Sequence, residues 1–161
     1  MKVIDSFEGD FFFLSNFYPS PIEYNGIVYP TVEHAFQAAK AVVEHDRLKI
    51  ACADTPGQAK RLGRKIYLRP DWEEVKDEVM YDCVRRKFNN PTLRNMLINT
   101  YVYGLVERNH WHDNYWGSCT CGACKDQGAN HLGKILMKVR GECINELFEQ
   151  HQATMADQKE G

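Results

Sequence analysis

The sequence predicts an α+β fold, a single compact helix-rich domain with a small antiparallel sheet. Three observations carry this. Asn25-Gly26 lies between Ile22-Glu23-Tyr24 and Ile27-Val28-Tyr29, the pattern of a two-residue hairpin whose turn needs positive φ at both positions. Downstream, proline and N-cap residues open one helix after another. The chain has 161 residues, 43% hydrophobic and 26% charged, with no internal repeat and no linker, which suits one hydrophobic core.

In chain order, Phe11 to Leu14 is an apolar run of strand length, and the hairpin follows it. Thr31, as N-cap after Pro30, starts a helix over Val32 to Glu44, and a short helix over Arg47 to Cys52 comes next. Thr55-Pro56-Gly57-Gln58 combines an N-cap, a proline at the first helical position and a glutamine at the third, opening a helix that ends near Gly63. Asp71-Trp72-Glu73-Glu74 opens a longer helix to Phe88. Its acidic first turn and basic last turn (Arg85, Arg86, Lys87) both favour the helix dipole. Pro91 restarts a helix to Asn99, Tyr101 to Val106 is strand-like, and residues 108–128 read as a loop. A final helix runs from Asn130 to Gln150. The domain therefore spans residues 1–150, and the polar residues 151–161 are expected to form a disordered tail.

Composition narrows the function. A net charge of −2 argues against a broad nucleic-acid-binding surface but leaves room for a local basic pocket. No apolar run approaches the ~18 residues of a membrane span, and Met1 to Asp5 lacks the apolar core of a signal peptide. Six cysteines without such a signal imply a reduced, cytoplasmic protein. Cys52, Cys83 and Cys143 fall in helical patterns and read as packing residues.

Four sets of residues could carry chemistry. Glu33, Gln37 and Lys40 share one stripe of the first helix, with Glu33 and Lys40 ~10.5 Å apart along its axis. On a solvated face they would be a weak i,i+4 pair. On a central, alanine-rich helix their polar groups need partners. In the loop, Glu107 precedes a stretch holding Trp111, Asp113, Tyr115 and Trp116. Aromatics beside a carboxylate suit a flat heterocycle next to developing positive charge, or they pin the loop to the core. Gly128-Ala129-Asn130-His131-Leu132-Gly133 could let backbone N–H groups approach an anion at a helix start. Cys119, Cys121 and Cys124, with His110, His112 or His131, could hold a structural zinc as Cys₃His, or remain free or redox-labile thiols.

Taken in order, several motifs add up to a resemblance. They are Phe13-Leu14-Ser15-Asn16-Phe17, Tyr29 to Lys40, Leu62-Gly63-Arg64, Asp71-Trp72, Met80 with Lys87-Phe88, and Leu105-Val106-Glu107. Asp113 to Gly117 and Gly128 to Gly133 follow, with Leu136-Met137 and Arg140. Over about residues 7–145 the chain resembles the YbiA-like, or NADAR, family. The resemblance implies a compact α+β domain that hydrolyses N-glycosidic bonds without a catalytic cofactor. The implied substrates are ribosylamino-pyrimidine intermediates of riboflavin biosynthesis, or ADP-ribose attached to guanine, free or in DNA. It implies Glu33, Lys40, Asp113 and Trp72 as functional positions, with Asn16 and Trp116 lining the pocket. Gln37, Arg64 and Asn130 join them as substrate-binding candidates, and Trp72 is expected to stack the departing base. The cysteine stretch after Trp116-Gly117 departs from the family pattern, so catalysis is not expected to need it.

Breaking a C1′–N bond builds positive charge on the sugar, which a fixed carboxylate stabilises. Glu33 and Asp113 would serve, one activating water and the other holding charge or hydroxyls. A second route has Lys40 attack C1′ and form a Schiff base, which needs a lowered amine pKa. The shared stripe suggests instead an ion pair of Lys40 with Glu33. Arg64, Lys65 and Arg69 are candidates for phosphate contacts. Outside this class stand a non-catalytic nucleotide reader and a zinc-stabilised interaction module.

Overall fold

A computed structural model describes residues 2–157. Its strands and helices run β1 (Lys2–Ile4), β2 (Ile22–Tyr24), β3 (Ile27–Tyr29), α1 (Val32–Ala39), α2 (Glu44–Ala51), α3 (Pro56–Gly63) and α4 (Trp72–Lys87). Then come α5 (Pro91–Ile98), β4 (Tyr103–Leu105), β5 (Arg108–Asn109), β6 (Ser118–Cys119) and α6 (His131–Asp157). The α+β, helix-rich architecture follows the expectation.

The sheet part is more dispersed than expected. Three two-stranded pairs replace a single sheet: β2–β3 is antiparallel, whereas β1–β4 and β5–β6 are parallel. Lys2 to Ile4 is a strand because Tyr103 to Leu105 lies beside it in parallel register. Phe11 to Leu14 is not a strand. It belongs to a 3₁₀ helix over Gly9–Leu14, nucleated where Phe11 N–H donates to Glu8 O at 2.9 Å. Adjacent Phe13 and Leu14 are both buried while Phe11 and Phe12 are exposed, a burial pattern that strand alternation cannot give.

Helix α1 is central, as its composition suggested. It packs on α2, α3 and α4 and buries seven consecutive residues from Val32 to Ala38. Thr31 caps it, its hydroxyl accepting from His34 N–H at 3.2 Å and meeting His34 Nδ1 at 2.8 Å. His34 Nε2 lies 3.1 Å from Ala53 O, so this buried histidine ties α1 to the end of α2. The helix stops at Ala39 rather than Glu44. Ala41 bridges to Leu68, and the β-branched Val43 is extended as the residue before α2.

At the other end, α6 packs on α4, α5 and β4. Buried Arg140 donates to Thr100 O at 2.7 Å and to Tyr103 O at 3.0 Å, which fixes the approach to β4. Helix α6 continues to Asp157, beyond the expected end at Gln150. The remainder of the expected tail, residues 158–161, lies outside the described residues. Among the described residues, no helix is long and apolar enough to cross a membrane.

Candidate active site

A cavity of about 250 Å³ opens between α1, α3, the Ser15-Asn16-Phe17 turn and the segment around Glu107 to Trp116. The cap at Thr31 aims α1 so that Glu33, Gln37 and Lys40 form one wall of it. Glu33 is 6% exposed, and its Oε1 accepts from Gln37 Nε2 at 2.8 Å. Burial pushes its carboxyl above the usual range, against the pull of Lys60, of the Gln37 hydrogen bond and of Lys40.

Lys40 does not form the close ion pair that the stripe suggested; the hydrogen bond to Glu33 Oε1 comes from Gln37. Its Nζ lies 5.5 Å from the Phe36 ring centre and 5.7 Å from that of Trp72. Burial lowers its pKa. Glu33 opposes the shift, and the neighbouring cations Lys60 and Arg64 add to it. A greasy wall and nearby positive charge are the conditions under which a lysine loses its proton readily and becomes a nucleophile.

The opposite wall carries Glu107 and Asp113. Glu107 leaves β4 with its backbone clamped: its N–H donates to Asn130 Oδ1 at 3.0 Å, and its carbonyl accepts from Ser118 N–H at 2.8 Å. Gly117 is required for that approach, since a Cβ there would stand 2.2 Å from Glu107 O. Part of the Glu107 side chain faces the open cavity. Even so, burial first, then Asp113 and Glu33, push the carboxyl up to about 7. Asp113 is positioned by its neighbours. Its Oδ1 accepts from Tyr115 N–H at 3.1 Å and Trp116 N–H at 2.9 Å, and Asn109 brackets its backbone.

The cavity thus brings together Asn16, Glu33, Gln37, Lys40, Arg64, Asp113 and Trp116 from the sequence candidates. Trp72 is not among its lining residues. It is 6% exposed and packs its ring on Phe36 at 5.1 Å, with Phe36 in turn edge-on to Trp116 at 5.2 Å. Trp72 therefore supports the wall from the core, and Phe17, Phe36, Trp111 and Trp116 are the aromatics that reach the cavity. Asn130 is not on the wall either; its amide bridges Glu107 N and Leu105 O. Arg69 is engaged with Asp71 at 2.6 Å. Sequence reasoning passed over Lys60, and it named Glu107 and Trp111 in the loop set without assigning either to the site. Glu107 closed the quoted Leu105-Val106-Glu107 motif without being given a role.

The glycine-rich start of α6 is not an open anion site. Ala129, Asn130, His131 and Leu132 N–H groups donate to the carbonyls of Asn114, Gly117, Tyr115 and Trp116. They are spent on holding the loop that carries Asp113.

The cysteine cluster is assembled. His112 Nδ1 and the sulfurs of Cys119, Cys121 and Cys124 all lie within 4.8 Å of one another. The structure selects His112 among the three candidate histidines: His110 meets Thr120 Oγ1, and His131 stacks on Tyr115. Backbone N–H of Cys124 leads in drawing the Cys121 thiol down to about 6, which suits a thiolate ligand.

A central polar helix, a cavity with three carboxylates and one depressed amine, and a motif order spanning the domain define an enzyme-like pocket of a known family. The NADAR domain model matches residues 5–143, and the chain belongs to that family. It is 41% identical over 135 residues to "N-glycosidase YbiA" of Escherichia coli (strain K12), covering 82% of this chain and 79% of that protein. It is 42% identical over 137 residues to "N-glycosidase Npun_R5314" of Nostoc punctiforme, covering 81% of this chain and 85% of that protein. A match of 38% identity over 148 residues joins 81% of the chain to 23% of "Riboflavin biosynthesis protein PYRR, chloroplastic" of Zea mays. The NMR structure of E. coli YbiA superposes with a TM-score of 0.79 at 37% identity, over 92% of this chain and 88% of that one.

Proposed function

We propose that this chain is a cytoplasmic hydrolase of N-glycosidic bonds, cleaving the C1′–N bond of a ribosylated base. One observation carries the reading: a burial-depressed amine, Lys40, shares a cavity with the carboxylates of Glu33, Glu107 and Asp113. The N-glycosidase names of relatives at 41% and 42% identity support the reaction class.

The parts suit the chemistry. Lys40 Nζ attacks C1′, and the C1′–N electron pair leaves with the base, which takes a proton from Glu107. A carboxyl near 7 is still protonated in a large share of molecules at neutral pH and gives the proton up readily. The sugar ring then opens: the amine loses a proton, the C1′–O4′ bond breaks, O4′ takes its electron pair and a proton, and C1′ becomes an imine on Lys40. Water adds to C1′, the amine departs, and the sugar is released with its hydroxyl, so the net change is hydrolysis. Glu33 and Asp113 stabilise the positive charge that develops at C1′. In this reading Asn16 and Gln37 hold the ribose, Trp116, Trp111 and Phe17 hold the base, and Lys60 and Arg64 meet phosphate.

The cavity is below the ~300–1,000 Å³ of sites that engulf a whole ligand. It fits the ribosyl end and leaves the rest of the substrate on the surface beyond Trp111. ADP-ribosyl-guanine, free or in DNA, and ribosylamino-pyrimidines are the substrate candidates of this reading. The Cys₃His cluster is assigned to a structural zinc held by four protein donors, with no open position for catalysis. The test offers ADP-ribosylated guanosine, its DNA form and the ribosylamino-pyrimidines side by side and measures released base. Release from at least one supports the reading, whereas binding of all three without release makes the chain a nucleotide reader instead.

A further inference from the structure

His112 stands between two residues of the cavity wall, Trp111 and Asp113. Its backbone is in the left-handed region, φ +67°, which is uncommon for residues other than glycine. On the inner side of this turn, buried Asn109 is the anchor: its Oδ1 accepts from Trp111 and Asp113 N–H groups, and its Nδ2 donates to Asp113 O at 2.7 Å. On the other side, His112 Nδ1 faces the sulfurs of Cys119, Cys121 and Cys124.

Tetrahedral zinc with sulfur at about 2.3 Å and nitrogen at about 2.0 Å places its ligand atoms roughly 3.5–3.8 Å apart. Here His112 Nδ1 lies 3.4 Å from Cys121 Sγ, 3.4 Å from Cys124 Sγ and 4.0 Å from Cys119 Sγ. The donors come from three places in the chain: the turn after β5, strand β6, and the turn that follows it. A metal joining them ties residue 112 to residues 119–124 across an otherwise irregular segment.

We propose that zinc bound by His112, Cys119, Cys121 and Cys124 is the outer strut of the active-site turn, so that metal occupancy fixes Trp111 and Asp113 in the cavity wall. The inference rests on the zinc assignment above and adds to it a coupling between the metal and the substrate site. The ion takes no part in bond cleavage. Its four ligands act as positioning residues, and their effect reaches the substrate through Asp113 and Trp111.

The test uses the full chain as purified. Metal analysis is expected to find one zinc per chain, and cobalt exchanged into the site should show thiolate-to-metal charge transfer and tetrahedral d–d bands. Trypsin can cut after Arg108 and Lys125, which flank the strut. Removing zinc with a strong chelator should speed cleavage there at least tenfold and shift the emission of Trp111, with helical circular dichroism kept. Adding zinc back should reverse both changes. Cys121→Ser, at a partly exposed position, should resemble the chelated chain and resist rescue. One zinc bound, with cleavage and emission indifferent to its removal, overturns the strut and leaves the zinc assignment standing. Absence of zinc together with absence of a cobalt spectrum overturns both. Global loss of helix on chelation also overturns the inference, because the metal would then support the whole fold. Protection and emission do not require turnover, so a failure of the glycosidase reading stays distinguishable.

Discussion

Replacing Glu107 by Gln should make the protein more stable and nearly inactive at once. Burial, with Asp113 and Glu33 beside it, holds the Glu107 carboxyl at about 7 against an ordinary 4.5. At ~1.4 kcal/mol per pH unit, keeping it ionised in the folded chain costs at most about 3 kcal/mol, reduced to about 1–3 kcal/mol by water in the cavity. The sign follows from the protons. Between pH 4.5 and 7 the folded chain keeps a proton that the unfolded chain has released, so stability falls as pH rises through that window. Glutamine never carries the charge. Denaturant unfolding should therefore show Glu107→Gln more stable than wild type by about 1–3 kcal/mol near pH 8, with the two equal near pH 4. Base release should fall by ~10²–10⁴, the usual contribution of a general acid, and wild-type activity should decline as pH rises past 7. A variant with unchanged stability near pH 8, or with wild-type turnover, would refute the reasoning.

Two further outcomes follow from the same packing. Burial lowers the Lys87 amine to about 7, and its Nζ donates to Ser15 O at 2.8 Å. The unfolded lysine keeps its proton to ~10.4, so wild-type stability should rise with pH above 7 by up to ~1.4 kcal/mol per pH unit. Lys87→Met should abolish that slope, and equal slopes in pH-dependent denaturation would contradict the assignment. Trp72→Ala should cost about 3–5 kcal/mol of stability, since Trp72 is a core support of Phe36. A variant with unchanged melting temperature that loses only substrate binding would return Trp72 to the cavity wall.

Much of the site was legible wherever local rules govern it. The Thr31 cap and helical spacing placed Glu33, Gln37 and Lys40 on one wall, and the cavity keeps that grouping. The hairpin around Asn25-Gly26 is similarly local, with both turn residues at positive φ. The misses are tertiary. Glu107 sits just past a three-residue strand, where no periodicity marks which way a side chain points, and its raised pKa comes from tertiary burial first and then from Asp113 and Glu33 beside it. Lys60 looks like an ordinary surface charge until α3 docks on α1. Trp72 and Trp116 are alike in sequence, and only the intervening Phe36 ring separates core from wall. The run Phe11 to Leu14 has strand composition but no partner strand, so its backbone turns on itself.

The central claim is that Lys40 attacks the anomeric carbon. Turnover of an ADP-ribosylated guanosine or ribosylamino-pyrimidine in the presence of borohydride should reduce the imine and leave a covalent sugar on Lys40, read by mass spectrometry of the peptide that contains it. Lys40→Arg, which keeps the charge without a usable amine, should release no base and trap no sugar. Base released at near wild-type rate by Lys40→Arg, with no adduct in either protein, would contradict the account and leave the cavity carboxylates to activate water directly.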